Sequence, residues 1–162
     1  MSEQRYLCDE MLHRLGRWLR AAGYDTAIAE AGTPDGELLH QALNEGRMML
    51  TRDRHLAHTC GSSDTLILLQ QNTLKEQVAE LTRRCNINWL LFPFSRCLEC
   101  NTLLVSADDV QRKRLPEGAF SISPEAWYCP RCDKLYWEGS HVRRMRHTLE
   151  NFSRGDWLVA DD

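Results

Sequence analysis

Two Cys-x-x-Cys pairs, Cys97-Leu-Glu-Cys100 and Cys129-Pro-Arg-Cys132, constrain this chain more than any other feature. Each pair is a tight turn that aims two sulfurs at one point, and residues 101–128 between them allow the turns to face each other. Four thiolates satisfy the tetrahedral preference of Zn²⁺ and leave no coordination position open. The predicted ion is therefore structural, as in a zinc ribbon, and the chemistry has to come from elsewhere in the chain. A redox dithiol needs one such pair and leaves the second unexplained. Two disulfides would suit a secreted chain, but residues 1–10 carry no apolar signal segment. Cys8, Cys60 and Cys85 have no partner at ligand spacing and read as small buried apolar residues.

A length of 162 residues allows one ordinary domain and a small appendage. Hydrophobic content of 43% with 27% charged residues is that of a folded globular chain. The longest apolar runs, Leu66–Leu69 and Trp89–Phe92, are too short to span a bilayer. Together with the free thiols this predicts a cytoplasmic protein with no membrane partner. The net charge of −3 does not advertise nucleic-acid binding, but local clustering of basic residues matters more than the sum.

Residues 5–72 read as repeated strand and helix units. Tyr6-Leu7-Cys8 is a short strand ending at Asp9, and Leu12, Leu15, Leu19 and Ala22 then fall at helical spacing before Gly23. Thr26–Ala29 predicts a second strand. Asp35 opens a helix with Leu38, Leu39, Ala42 and Leu43 on one face, closed by Gly46. Met48-Met49-Leu50 and Leu66–Leu69 are buried-strand candidates, and Thr73-Leu-Lys-Glu76 is a capping box for a further helix. This alternation predicts an α/β fold, a parallel sheet with helices on both faces, over residues 1–92. A small zinc ribbon with a basic extension is expected over 93–162. Its stretch between the Cys pairs suggests a short hairpin and a loop, and the acidic tail after Asp156 is expected to be disordered.

Ligands of open α/β sheets bind outside the carboxyl ends of the strands. Asp9 follows the first strand, Glu30 the second and Asp53 the third, while Asp35 starts a helix that opens on the same edge. Two carboxylates about 4 Å apart repel by roughly 4 kcal/mol at an effective dielectric of 20. A cation is the natural relief, and Mg²⁺ or Mn²⁺ favours oxygen ligands while keeping positions open for water and phosphate oxygens. Such a site suits phosphodiester hydrolysis. The plainer reading is that these acids are helix caps and surface charges, a role Asp35 could fill as an N-cap.

Basic residues form two clusters. His13, Arg14, Arg17 and Arg20 share the first helix, and His141, Arg143, Arg144, Arg146 and His147 lie beyond the second Cys pair. Arg arrays of this kind hold phosphates, and solvated helix faces are the alternative. Trp127, Tyr128, Tyr136 and Trp137 flank the second Cys pair and either stack on bases or fill the core of the zinc module.

Four blocks in order carry a family resemblance. They are Cys8-Asp9-Glu-Met-Leu-His-Arg-Leu-Gly-Arg-Trp-Leu-Arg20 with Gly23-Tyr-Asp25; Asp35-Gly-Glu-Leu-Leu39 leading to Leu50-Thr-Arg-Asp-Arg54; Cys97–Cys100; and Cys129–Cys132 running into Tyr136-Trp-Glu-Gly-Ser-His141. The chain resembles the C-terminal RNase domain of the Mut-seven family, a PIN-like nuclease domain with an appended zinc ribbon. The resemblance implies a ribonuclease with a Mg²⁺- or Mn²⁺-dependent acidic site in which Asp9, Asp35 and Asp53 match the acidic positions. PIN-like sites commonly use a fourth acid, for which Glu30, Glu37 and Asp64 are candidates and Glu30 is the best placed. RNA is the expected partner, with Arg14, Arg17, Arg20, Arg143, Arg144 and Arg146 on its phosphates. A non-catalytic RNA- or protein-binding adaptor built on the zinc ribbon is the rival from a different class.

Overall fold

Alternating elements build the first half of the chain: β1 (Tyr6–Cys8), a 3₁₀ turn (Glu10–Leu12), α1 (His13–Ala22), β2 (Thr26–Ile28), α2 (Asp35–Glu45), β3 (Met48–Thr51), α3 (Arg54–Cys60), β4 (Leu66–Leu68) and α4 (Leu74–Cys85). The computed structural model describes residues 3–60, 64–119 and 125–156. The four strands pair in parallel in the order β2-β1-β3-β4. Because successive strand residues point to opposite faces, Tyr6, Cys8, Leu50 and Ile67 meet Leu15 and Leu19 of α1 and Val78 and Leu81 of α4. Leu7 and Met49 meet Leu38 and Ala42 of α2 and Leu56 of α3 on the other side. The parallel sheet covered on both faces is thus the architecture expected from the alternation.

Local signals end the helices where expected. Gly23 closes α1 at φ 106°, and a Cβ there would lie 2.6 Å from the Phe92 carbonyl oxygen, so glycine is needed for conformation and for space. Both reciprocal bonds of the Thr73–Glu76 capping box form at α4. Two details differ from expectation. Leu43 is 65% exposed, because the inward face of α2 is narrower than its apolar pattern and buries Leu38 and Ala42. Helix α3 is unanticipated, because it buries only Leu56 and has no apolar repeat to read.

The second half contributes β5 (Val105–Ser106), α5 (Asp109–Arg112), β6 (Ala126–Cys129), β7 (Lys134–Trp137) and α6 (Ser140–Ser153), with an antiparallel sheet in the order β5-β6-β7. Among the described residues the stretch between the Cys pairs therefore holds a two-residue strand and a one-turn helix, and a hairpin forms from β6 and β7 around the second pair. Met145, Leu149 and Phe152 of α6 join the larger core, where Phe152 meets Trp18 and Trp89 edge-on at 5.4 and 5.1 Å between centroids. Apolar packing is continuous from the parallel sheet through Cys97 and Leu98 to the last helix. Among the described residues no helix is long and apolar enough to cross a membrane. The tail after Asp156, expected to be disordered, lies outside the described residues.

Candidate functional site

In the order β2-β1-β3-β4 the chain leaves β1 for one neighbour and returns across it to the other, which opens a crevice at the carboxyl ends of β1 and β3. Asp9 sits there, only 6% exposed, its backbone N–H donating to the Leu50 carbonyl at 3.1 Å. Its Oδ1 accepts from the Leu12 N–H at 3.2 Å and caps the 3₁₀ turn. Its Oδ2 accepts from the Thr51 hydroxyl at 2.5 Å and the Arg52 N–H at 3.2 Å. The Thr51 oxygen in turn accepts from the Asp53 N–H at 3.0 Å. Asp53 caps α3 through Oδ1, which accepts from the His55 and Leu56 N–H groups at 2.8 and 3.2 Å. One threonine hydroxyl therefore links the two aspartates.

A carboxylate offers about four acceptor sites. Three bonds leave Asp9 one of them, and Asp53 Oδ2 has no hydrogen bond among the described residues. Asp35, in the first turn of α2, and Glu30, after β2, are both exposed and line the same small cleft of about 70 Å³ as Asp9 and Asp53. Glu10 lines it too, and its carboxylate accepts from the Gly32 N–H at 3.1 Å. Sequence reasoning passed over Glu10, although its position beside Asp9 was the available signal. Glu37 and Asp64 are not among the residues lining the cleft. No Lys, Arg or His lines it among the described residues, so five carboxylates meet without a protein cation. They share the cleft without converging tightly, since the described groups whose ligand atoms all lie within 4.8 Å of one another are the four cysteines.

Those cysteines sit on two turns of the same design. Asn101 and Asp133, each four residues past the first Cys of a pair, adopt left-handed φ values of 73° and 55°. Each donates its N–H back to the carbonyl of that Cys at 2.9 Å. The Tyr136 hydroxyl accepts from the Leu98 N–H at 3.2 Å and lies 3.1 Å from Cys97 Sγ, and Cys129 Sγ accepts from the Cys132 N–H at 3.3 Å. Contact with the Cys100 thiol pushes the Cys132 thiol up, and burial pushes Cys129 up. Burial also works upward at Cys100, but hydrogen bonding with Thr102 outweighs it and holds that thiol down. Crowding and burial therefore act unequally on Cys100, Cys129 and Cys132. Four soft thiol donors this close together suit the tetrahedral preference of Zn²⁺, so the cluster can hold a zinc ion.

The first turn is locked to the parallel sheet. Asn101 accepts from the Thr26 N–H at 3.0 Å, covering part of the β2 edge, and donates to Asp25 Oδ1 at 2.7 Å. Arg20 completes the lock and corrects one expectation. It is 6% exposed and donates to the Thr26 and Leu98 carbonyls at 2.8 and 2.9 Å, so it holds the interior together and is out of reach of a phosphate.

Of the other basic residues, Arg14, Arg143 and Arg144 are exposed and have no side-chain partner among the described residues. Arg17 pairs with Glu99 at 3.1 Å, and Arg146 pairs with Glu138 while lying over the Phe94 ring, 5.0 Å from its centroid. Tyr136 is buried, whereas Trp127, Tyr128 and Trp137 are half-buried.

No curated protein and no solved structure matches the chain. The family model described as the Mut7-C RNAse domain matches residues 4–149, from just before β1 into α6. With a parallel α/β sheet, an acidic crevice at its switch point and four clustered cysteines later in the sequence, the chain belongs to the Mut7-C RNAse domain family, a ribonuclease-type domain.

Proposed function

We propose that this chain is a metal-dependent ribonuclease that hydrolyses RNA phosphodiester bonds at the acidic cleft. The observation that carries the reading is the gathering of five carboxylates in one cleft at the carboxyl edge of β1 and β3, with no Lys, Arg or His among its described lining residues. Asp9, Asp35 and Asp53, with Glu30, would hold Mg²⁺ or Mn²⁺, whose hard preference for oxygen matches the donors present. When bound, such an ion supplies Lewis acidity at a phosphoryl oxygen and acidifies water for attack at neutral pH.

The chain's own residues divide the remaining work. Asp9 is held rigid by its three hydrogen bonds, and Asp53 is oriented by the first turn of α3. Asp35 and Glu30 form the exposed wall, where substrate enters. Arg14, unpaired on α1, is free to orient a phosphate. The zinc cluster is structural in this reading. A nuclease unit over 1–92 and a zinc unit over 93–162, carrying Arg143, Arg144 and Arg146 towards the RNA, is the matching division. A cytoplasmic location suits both the substrate and the free thiols.

The test is cleavage of end-labelled RNAs by zinc-loaded protein with Mg²⁺ or Mn²⁺, against Asp53→Asn. Asn caps helices about as well as Asp, so the variant should fold normally while losing a metal ligand. Metal-dependent products that vanish in the variant support the reading. RNA bound but left whole by the wild type refutes it in favour of the non-catalytic adaptor.

A further inference from the structure

Two cavities outside the acidic cleft adjoin along β7, sharing Tyr136, Trp137 and Val142 as a common wall. The first, about 380 Å³, lies between the 91–95 segment, the β6–β7 hairpin and α6, and is rich in aromatic rings: Phe92, Phe94, Trp127 and Trp137. Phe92 is 60% exposed, which burial in the core does not explain. The second, about 510 Å³, is bounded by α1, β7 and the start of α6, and among the described residues carries Arg17, Lys134, His141 and Arg143 against a single acid, Glu117.

We infer that these cavities form one groove that binds single-stranded RNA, with bases against the aromatic half and phosphates along the basic half. The RNA follows from the ribonuclease reading; the groove and the choice of a single strand are additional to it. Aromatic platforms beside a basic track are the means by which proteins hold unpaired strands, because base faces are available only when the bases are not stacked in a duplex. Cavities of this size admit individual nucleotides and are too small for a double helix.

The charge in the basic half is available to a ligand. Arg17 and Lys134 share one carboxylate, Glu99, at 3.1 and 3.7 Å, and Arg143 has no side-chain partner among the described residues. The first turn of α6 contains no acid, yet His141, Arg143 and Arg144 stand at that end of the helix. The helix dipole disfavours cations there, so helix stability gives no reason for the placement and an anion in the groove does.

Helix α1 leads from the cleft to the groove. Glu10 and Met11, just before α1, line the acidic site, whereas Arg17 on α1 lines the groove. Arg14 lies between them, one turn before Arg17 on the same face of the helix. A strand seated on Trp137 and Arg143 thus has a basic path along α1 to the carboxylates.

The test uses zinc-loaded protein carrying Asp53→Asn, so that binding is read without cleavage. Fluorescence anisotropy compares a labelled single-stranded RNA with its duplex. Added to that background, Lys134→Gln with Arg143→Gln should weaken single-strand binding tenfold or more and flatten the salt dependence by about 0.7 in log–log slope per lost contact. Trp137→Leu should weaken it about five- to a hundredfold. Unchanged zinc content and urea midpoint show that each variant is folded. Should Trp137→Leu fail to fold, the exposed Lys134 and Arg143 pair decides.

Binding undiminished by the pair, or a duplex bound as tightly as the single strand, overturns the inference. Cleavage by the wild type with groove-independent binding removes the groove alone. Groove-dependent binding without any cleavage removes the nuclease reading and leaves the groove standing.

Discussion

Replacing Asp25 by Asn tests whether the sheet and the first Cys turn are energetically joined. Its carboxylate, 22% exposed, accepts from Arg47 at 2.7 Å, Arg5 at 3.0 Å and Asn101 at 2.7 Å, so one side chain ties the residues before β1 and β3 to the first Cys turn. Burial works to raise its pKa, but the bonds from Arg47, Asn101 and Arg5 win and bring it from 3.8 to about 2. At 1.36 kcal/mol per unit, that difference is worth about 2 kcal/mol of folding free energy at neutral pH. Asn keeps the shape and loses the charge, while Arg47 retains Glu45 and the Tyr6 and Asp25 carbonyls. Urea unfolding of zinc-loaded protein at pH 7 should therefore show a loss of about 2 kcal/mol with an unchanged m-value. Because the folded pKa is depressed, the contribution is complete above the unfolded value and is lost as pH falls through the folded one. The difference between wild type and variant should hold steady above about pH 5 and narrow below about 4. In an Asn101→Ala background the same substitution should cost about 1 kcal/mol less. A loss under about 0.5 kcal/mol, typical of an exposed ion pair, would refute the idea of a working junction.

Three further outcomes are expected. Thr51→Val removes the hydroxyl between Asp9 and Asp53 and leaves a buried carboxylate short of a donor, so stability should fall by about 1–3 kcal/mol in urea unfolding, and RNA cleavage should fall with it. Gly23→Ala forces a left-handed residue and a Cβ against the Phe92 carbonyl, costing about 2 kcal/mol or more by the same measurement, whereas Gly36→Ala, in helix α2 with open space around it, should stabilise by about 0.4–1 kcal/mol. Stripping zinc with a chelator should abolish cooperative unfolding of the β5–β7 sheet, seen as early hydrogen exchange at Trp127 and Tyr136. If exchange there is unchanged, the four cysteines do not hold the module together.

Much of this molecule was legible in its letters. The pairs Cys97–Cys100 and Cys129–Cys132 announce a four-sulfur cluster because ligand spacing within a turn is a local property, and the turns carry the same left-handed backbone at Asn101 and Asp133. The same holds for the capping box at Thr73 and the stop at Gly23, where a few adjacent residues decide the outcome. The placement of Asp9, Glu30, Asp35 and Asp53 in one cleft followed from a general rule for parallel sheets once the strands were recognised.

What lay beyond the sequence depends on contacts between residues distant along the chain. Arg20 looks like its neighbours Arg14 and Arg17 in a list of letters, but its rotation on α1 aims it at the Thr26 and Leu98 carbonyls, and the desolvated guanidinium becomes a brace instead of a phosphate contact. The Thr51 hydroxyl reaches Asp9 across 42 positions only because β1 and β3 are neighbours in that register. Likewise Trp137 and Arg17 come to line one cavity only when the Cys turns are packed against α1. Periodicity, capping and ligand spacing act within a few residues and can be read in one dimension; strand order, helix rotation and docking are decided by burial in three dimensions, and those are what bring this protein's acids and bases to its surface.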